Sequence, residues 1–207
     1  SIKQMSSYSF LFKYIVIGDT SKQAGSIGVG KSCILLQFLE KKFKFDHDTT
    51  IGVEFGSKII SVGGKHIKLQ IWDTVSSRLS VGSQETFKSI TRSYYRGSIG
   101  VVLVYDITNR DSFNNIVKWL DETKNYANDK VTVMLVGNKT DLDSKYNSTK
   151  GRRVVSFEEG YEFAKRNGLN FMECSAKNSQ NIDAVQSTTS TDFVVVAESI
   201  LGKIERK

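Results

Sequence analysis

Apolar and polar positions divide the chain into short strand-like runs separated by helical ones. Phe10 to Ile17 is an apolar run, and Cys33-Ile-Leu-Leu-Gln-Phe-Leu39 after it has apolar residues at helical spacing. Val53 to Val62 alternates as a strand, Gly63-Gly64 turns the chain, and Lys65 to Trp72 returns with Ile67, Leu69 and Ile71 on one face. This predicts a hairpin whose second strand ends on Asp73. Gly97 to Asp106, containing Val101-Val-Leu-Val-Tyr105, and Val131 to Val136 are nearly continuous apolar runs of the kind a parallel sheet buries on both faces.

The helical pattern recurs between these runs. Asp111 is predicted to cap a helix through about Asn125, with Phe113, Ile116, Val117 and Leu120 facing inward. Ser156-Phe-Glu-Glu159 has the arrangement of a capping box and opens a helix through Asn167, ended by Gly168; Leu169 to Glu173 is a last short strand. Ile182-Asp-Ala-Val185 and Phe193 to Leu201 read as one final helix interrupted by Gln186 to Asp192. Seven residues are nearly two turns, so the helix can continue in phase; the Ser/Thr composition equally allows a break with Asp192 as a new cap. Strands alternating with helices predict an α/β fold, a doubly wound, mostly parallel six-stranded sheet with one antiparallel strand, flanked by about five helices, with ligands at the carboxyl ends of the strands.

Composition narrows the class. The 207 residues suit a single domain spanning 1–207, with 1–9 as a flexible N-terminus and 203–207 as the start of a tail; 39% hydrophobic and 25% charged residues can build an ordinary core. No apolar run is long enough to span a bilayer and no signal-peptide pattern opens the chain, so a cytoplasmic placement is expected. Cys33 and Cys174 have no metal or redox spacing and are expected to be reduced. The net charge of +7 is carried by scattered basic residues without an aromatic–basic repeat, so nucleic acid is not the expected partner.

The strongest chemical signal is Gly25-Ser-Ile-Gly-Val-Gly-Lys-Ser32, which matches G-x-x-x-x-G-K-[ST] between a strand and a helix. Glycines let successive backbone N–H groups curl toward phosphate oxygens, and the following helix adds its positive end. Candidate contacts are Gly25, Gly28, Val29, Gly30, Lys31, Ser32 and Cys33, with Lys31 on the β- and γ-phosphates and Ser32 on Mg²⁺. A second register is open, because without Ser21 to Ile27 Gly18 would begin an equally legal loop. The polar stretch Glu40 to Gly52 holds Thr49 and Thr50, and a threonine here can cap Mg²⁺ only while a γ-phosphate is present, while Asp73 stands where a water-mediated Mg²⁺ ligand is expected. Beyond the Val131 to Val136 strand comes Gly137-Asn138-Lys139-Thr140-Asp141. A carboxylate there can accept both N1–H and the exocyclic amine of guanine, a pair that adenine lacks, with Lys139 over the ring and Asn138 tying this loop to the phosphate loop. Ser175-Ala176-Lys177 follows at the next strand end, where its backbone can meet the guanine carbonyl.

Together these residues resemble the Ras superfamily and its P-loop G domain. Thr50-Ile-Gly-Val-Glu-Phe55, Lys68-Leu-Gln-Ile-Trp-Asp-Thr74, Arg92-Ser-Tyr-Tyr-Arg-Gly97 and Leu103-Val-Tyr-Asp-Ile-Thr108 resemble its Rab branch, and most of all the Rabs of the endosomal and early secretory pathway. The resemblance implies a switch that binds GTP or GDP with Mg²⁺, hydrolyses GTP slowly and regulates vesicular traffic. It implies Ser32, Thr50 and Asp73 as the metal set, Phe43 against the base, Gly82 at the γ-phosphate, and Gln84, Lys31 and Thr50 as catalytic candidates. Phe55, Trp72 and Tyr94 would form the aromatic cluster that effectors read. Partners implied are effectors, an exchange factor, a GTPase-activating protein and a GDP-dissociation inhibitor, acting on a monomer. A prenylated tail would hold it on the cytosolic face of endosomal or secretory membranes.

The sequence also departs from that pattern. Val75 to Val81 separates Asp73-Thr74 from Gly82, and Ser83 stands between Gly82 and Gln84, which raises the alternative of a nucleotide-binding module with impaired hydrolysis. Ser21 to Ile27, Tyr146 to Arg152 and Gln186 to Asp192 are further excursions of similar length. The chain as written ends at Lys207 without prenylation cysteines, so lipid anchoring is not expected of it. A P-loop kinase of small metabolites is the third reading, and Asn138-Lys139-Thr140-Asp141 speaks against it.

Overall fold

The computed structural model describes residues 8–20, 28–43, 53–74, 92–144, 151–182 and 192–206. Its strands are β1 (Phe10–Gly18), β2 (Val53–Val62), β3 (Lys65–Thr74), β4 (Gly100–Asp106), β5 (Thr132–Asn138) and β6 (Asn170–Glu173), in the order β2-β3-β1-β4-β5-β6. Among the described strands β2 pairs antiparallel with β3 and every other neighbour is parallel. The hairpin closes on Gly63 and Gly64, whose φ of 55° and 74° are left-handed values that glycine adopts without a steric penalty. The expected sheet, one antiparallel strand included, is the one observed.

Helices cover both faces. On one side lie α1 (Lys31–Glu40) and α6 (Asp192–Glu205); on the other lie α2 (92–96), α3 (Arg110–Asn114) and α4 (Ile116–Tyr126), with α5 (Phe157–Arg166) against β5 and β6. β4 explains why a continuous apolar run is needed: Val102 and Val104 lie in the core cluster that also holds Ile34 and Phe38 of α1 and Val196 of α6, whereas Val101, Leu103 and Tyr105 lie in the one that holds Ile116 and Leu120 of α4. Phe193 of α6 is fully buried with its ring centroid 4.5 Å from that of Phe38. Truncating such a ring typically costs about 3–5 kcal/mol.

Several boundaries differ from the sequence reading. β4 starts at Gly100 rather than Gly97, because Ser98 turns back and gives both its N–H (3.1 Å) and its hydroxyl (2.8 Å) to the Tyr95 carbonyl. Asn109, not Asp111, is the N-cap, its side chain accepting from Ser112 N–H at 3.1 Å, while Asp111 lies within the first turn, where its charge meets the positive end of the helix. The predicted helix is divided at Asn115 into α3 and α4. Val117 is 51% exposed and Trp119 takes its inward place, since the indole N–H finds a polar partner there in Asp19. β5 runs on to Asn138, two residues past Val136, so Gly137 and Asn138 belong to the strand. The capping box is present as expected, with Ser156 and Glu159 each accepting from the other's N–H, and α5 ends at Arg166 with Asn167 as its C-cap, before Gly168 at φ 67°. α6 begins at Asp192; the alternatives for the stretch before it fall on residues outside those described.

The parallel register decides where the ends of the strands meet. Val16 pairs with Asp73, Gly18 with Val104, Asp106 with Asn138 and Gly137 with Glu173, so the carboxyl ends of β1, β3, β4, β5 and β6 share one rim.

Candidate functional site

At that rim β1 ends on Gly18, with φ of 144°, where an added Cβ would lie 2.3 Å from the Val104 carbonyl oxygen. A glycine is therefore required for the backbone to leave the sheet. The next residue, Asp19, is held by two side chains of the opposite layer: Asn115 Nδ2 donates to Oδ2 at 2.6 Å and Trp119 Nε1 to Oδ1 at 2.9 Å. Val29 N–H returns to the Asp19 carbonyl at 3.4 Å, joining the strand end to the helix start across residues 21–27, which lie outside those described. Gly30, at φ 91°, caps α1, and a Cβ there would sit 2.5 Å from Asn138 Nδ2.

Lys31 occupies the middle of this turn. Its ammonium donates to the carbonyls of Gly18 (3.0 Å) and Asp19 (3.4 Å) and is 6% exposed. Burial pulls its pKa below the ordinary lysine range, and the carboxylates of Asp73 and Asp19 oppose that shift in part. A buried cation satisfied by neutral carbonyls, beside a glycine turn and a helix N-terminus, suits an anion. Of the two registers for the loop, Gly18 has Lys31 on its carbonyl, and Gly25 lies outside the described residues.

Next to it the Ser32 hydroxyl donates to Asp73 Oδ2, joining two of the three expected metal residues, and Asp73 is fully buried. No group of three or more His, Cys, Asp or Glu that could cage a metal occurs among the described residues. One hydroxyl and one carboxylate nevertheless fit Mg²⁺, which keeps several waters and completes its shell with substrate phosphates. Thr50, Gly82 and Gln84 fall outside the described residues, as do 75–81. Phe43 is half-buried and packs against the α1–α6 side of the core.

The other half of the rim is joined directly to this loop. Asn138, 1% exposed, donates through Nδ2 to the Val29 carbonyl at 2.9 Å. Its Oδ1 accepts from Ala176 N–H at 3.1 Å and from the Cys174 thiol at 3.6 Å. Lys139, in the left-handed region at φ 73°, donates to the Gly28 carbonyl at 2.8 Å and pairs with Asp106 Oδ2 at 2.6 Å. Asp141 accepts from the Ser175 hydroxyl at 2.6 Å, with the Lys177 ammonium 4.0 Å from its other oxygen. Asn138, Lys139 and Asp141 and the triplet Ser175-Ala176-Lys177 thus form one hydrogen-bonded constellation with Val29 and Gly28. A cleft of about 460 Å³ at the amino ends of the strands, bordered by Lys124, Asn167 and Lys203, shares none of these residues.

Sequence reading missed three supports of the site. Asp106 ends β4 as Asp73 precedes the end of β3, and a carboxylate finishing an apolar run was the signal for it. Asn115 and Trp119 left no signal, because their target, Asp19, is about a hundred residues away in sequence. The expected aromatic cluster is assembled at the side of the sheet: the Phe55 and Trp72 centroids are 4.7 Å apart, Trp72 and Tyr94 5.2 Å, and Lys13 Nζ lies 5.5 Å and 5.7 Å from the last two rings.

Comparison with known protein families matches the Ras family over residues 13–194. That span includes the phosphate-side turn, Asp73 and both loops of the opposite half, and the six-stranded sheet has the mixed topology of such a domain. The chain therefore belongs to the Ras family of GTP-binding switch GTPases.

Proposed function

We propose that this chain is a Rab-type switch that regulates vesicular membrane traffic, hydrolysing GTP slowly and binding effectors in its GTP state. The observation that carries the nucleotide assignment is the union of the two half-sites: Asn138 and Lys139 are bonded to Val29 and Gly28, so one rigid frame spans the distance from phosphates to base. In this reading Gly28, Val29, Gly30 and Cys33 line the phosphates and Lys31 moves its ammonium from the carbonyls of Gly18 and Asp19 onto phosphate oxygens. Ser32 and Thr50 hold Mg²⁺ and Asp73 holds its water shell. The bound metal shields phosphate charge. Asp141 accepts from the guanine edge, the backbone at Ser175 to Lys177 meets the guanine carbonyl, Lys139 and Phe43 border the ring, and Gln84 orients the attacking water.

Phe55, Trp72 and Tyr94 support the Rab reading, because their rings form one cluster and Phe55 is 50% exposed, which offers an aromatic surface to a partner. Effectors, exchange factors and GTPase-activating proteins are partners of the family in general. A GDP-dissociation inhibitor, a prenylated membrane-bound form, the monomeric state and the endosomal or early secretory membrane belong to the proposal.

Nucleotide competition and single-turnover GTP hydrolysis test it. GDP and GTP should bind far more tightly than ADP and ATP, Asp141→Asn should shift preference toward xanthine nucleotides, and Gln84→Leu should slow hydrolysis. Equal binding of ATP would refute the guanine assignment. A hydrolysis rate that Gln84→Leu leaves unchanged would favour the alternative, a nucleotide-binding module in which Val75 to Val81 displaces the glutamine.

A further inference from the structure

We propose that Arg153 is a positioning residue for guanine recognition, its guanidinium clamping the Asp141 loop to the Ser175–Lys177 loop. This rests on the guanine-nucleotide reading above and adds a residue that the phosphate and base motifs do not contain.

Arg153 Nε donates to Asp143 Oδ2 at 2.7 Å. Its other two nitrogens form a fork on Glu173, Nη1 to Oε1 at 2.7 Å and Nη2 to Oε2 at 2.8 Å, and Nη1 also reaches the Val155 carbonyl at 2.9 Å. All three side chains are largely buried, at 18%, 8% and 10% exposure for Arg153, Asp143 and Glu173. The two carboxylates lie at symmetrical places, Asp143 two residues after Asp141 and Glu173 two residues before Ser175. The guanidinium therefore ties the roots of both base-side loops, while Ser175 Oγ to Asp141 Oδ1 (2.6 Å) and Thr140 N–H to the Cys174 carbonyl (3.1 Å) tie them nearer the rim.

Arginine suits this task and lysine does not. The planar fork fixes orientation as well as distance, so Glu173, Asp143 and Val155 are held in one relative geometry. The clamp also closes the root of the excursion after Ser144. Arg152 N–H donates to the Leu142 carbonyl at 2.9 Å, and Gly151 lies so close to Ser144 that an added Cβ would be 2.4 Å from the serine Cβ. The chain thus leaves and re-enters at one point.

A buried ion network can also serve stability alone, and nucleotide choice separates the two roles. Inosine lacks the exocyclic amine of guanine, so the ratio of GDP to IDP affinity reads how well the Asp141 carboxylate is aligned. A loss of stability by itself moves both affinities together. Dissociation constants for GDP and IDP, measured by displacement of a fluorescent GDP analogue, are compared in the parent and in Arg153→Met, Arg153→Lys and Glu173→Gln. The parent should prefer GDP by about tenfold or more. In Arg153→Met and Glu173→Gln that preference should shrink by at least about threefold, and Arg153→Lys should recover part of it. Should Arg153→Met fail to fold, Glu173→Gln, which keeps the volume and a hydrogen-bonding group, decides. A parent-like ratio in the folded variants overturns the role of Arg153 alone. A parent that does not prefer GDP to ADP overturns the guanine reading, and this inference with it.

Discussion

Truncating Asn138 to alanine should separate the phosphate loop from the base-side loops. The side chain is 1% exposed and joins two backbone groups that belong to different halves of the site, the Val29 carbonyl at 2.9 Å and Ala176 N–H at 3.1 Å. Asn138→Ala leaves both groups buried without a partner, at roughly 1–3 kcal/mol each. The Cys174 thiol, donating at 3.6 Å, adds little. Water entering the vacated space recovers part of the loss, so the net destabilisation should be about 3 kcal/mol. For a domain of this size that lowers the melting temperature by about 6–12 °C. In the proposed site the frame between phosphate and base loosens as well, so GDP release should accelerate by about tenfold or more. The assays are thermal unfolding of the nucleotide-free protein and release of a fluorescent GDP analogue. A melting temperature within 2 °C of the parent together with release within twofold would refute the reasoning, because the two bonds would then carry neither stability nor coupling.

Three other substitutions test separate parts of the structure. Lys31→Met removes a buried charge whose desolvation cost is offset in part by two carbonyl hydrogen bonds and by the nearby carboxylates of Asp73 and Asp19, so nucleotide-free stability to urea should change by no more than about 1–2 kcal/mol while GDP affinity falls by about a hundredfold or more, read by titration calorimetry. Gly100→Ala would put a Cβ 2.6 Å from two ring carbons of Tyr14 and 2.9 Å from Val196, an overpacking that should cost about 1–3 kcal/mol in urea unfolding without changing nucleotide preference. The third concerns pH. The hydrogen bonds from Arg110 hold the Glu159 carboxyl down at about 2, so its contribution is present above the ordinary carboxylate range and lost as pH falls toward about 2. Because this pair is exposed and screened, Glu159→Gln should cost only about 0.5 kcal/mol near neutrality. The difference from the parent should close on acidification and shrink in high salt, as followed by urea unfolding across pH; a gap that widens in acid would contradict the sign.

Much of the fold was legible because burial leaves a local trace. The continuous run Val101 to Tyr105 announced a strand covered on both faces, the alternation around Gly63-Gly64 announced the hairpin, and Ser156 with Glu159 announced its helix start, each from residues adjacent in sequence. The residues proposed for phosphate and base were legible for the same reason, since they lie in short contiguous stretches at strand ends. Local pattern was insufficient where a side chain answers to something distant. Trp119 rather than Val117 faces inward because Asp19 waits there, and Asn109 rather than Asp111 caps because only its oxygen reaches Ser112 N–H. What only tertiary structure decided is the joining of parts far apart in sequence: the bond from Asn138 to Val29 spans 109 positions, and Arg153 unites Asp143 with Glu173 from a stretch that carries no motif. Periodicity records whether a residue meets the core. Which polar groups meet one another depends on strand order and register, and those are properties of the assembled sheet.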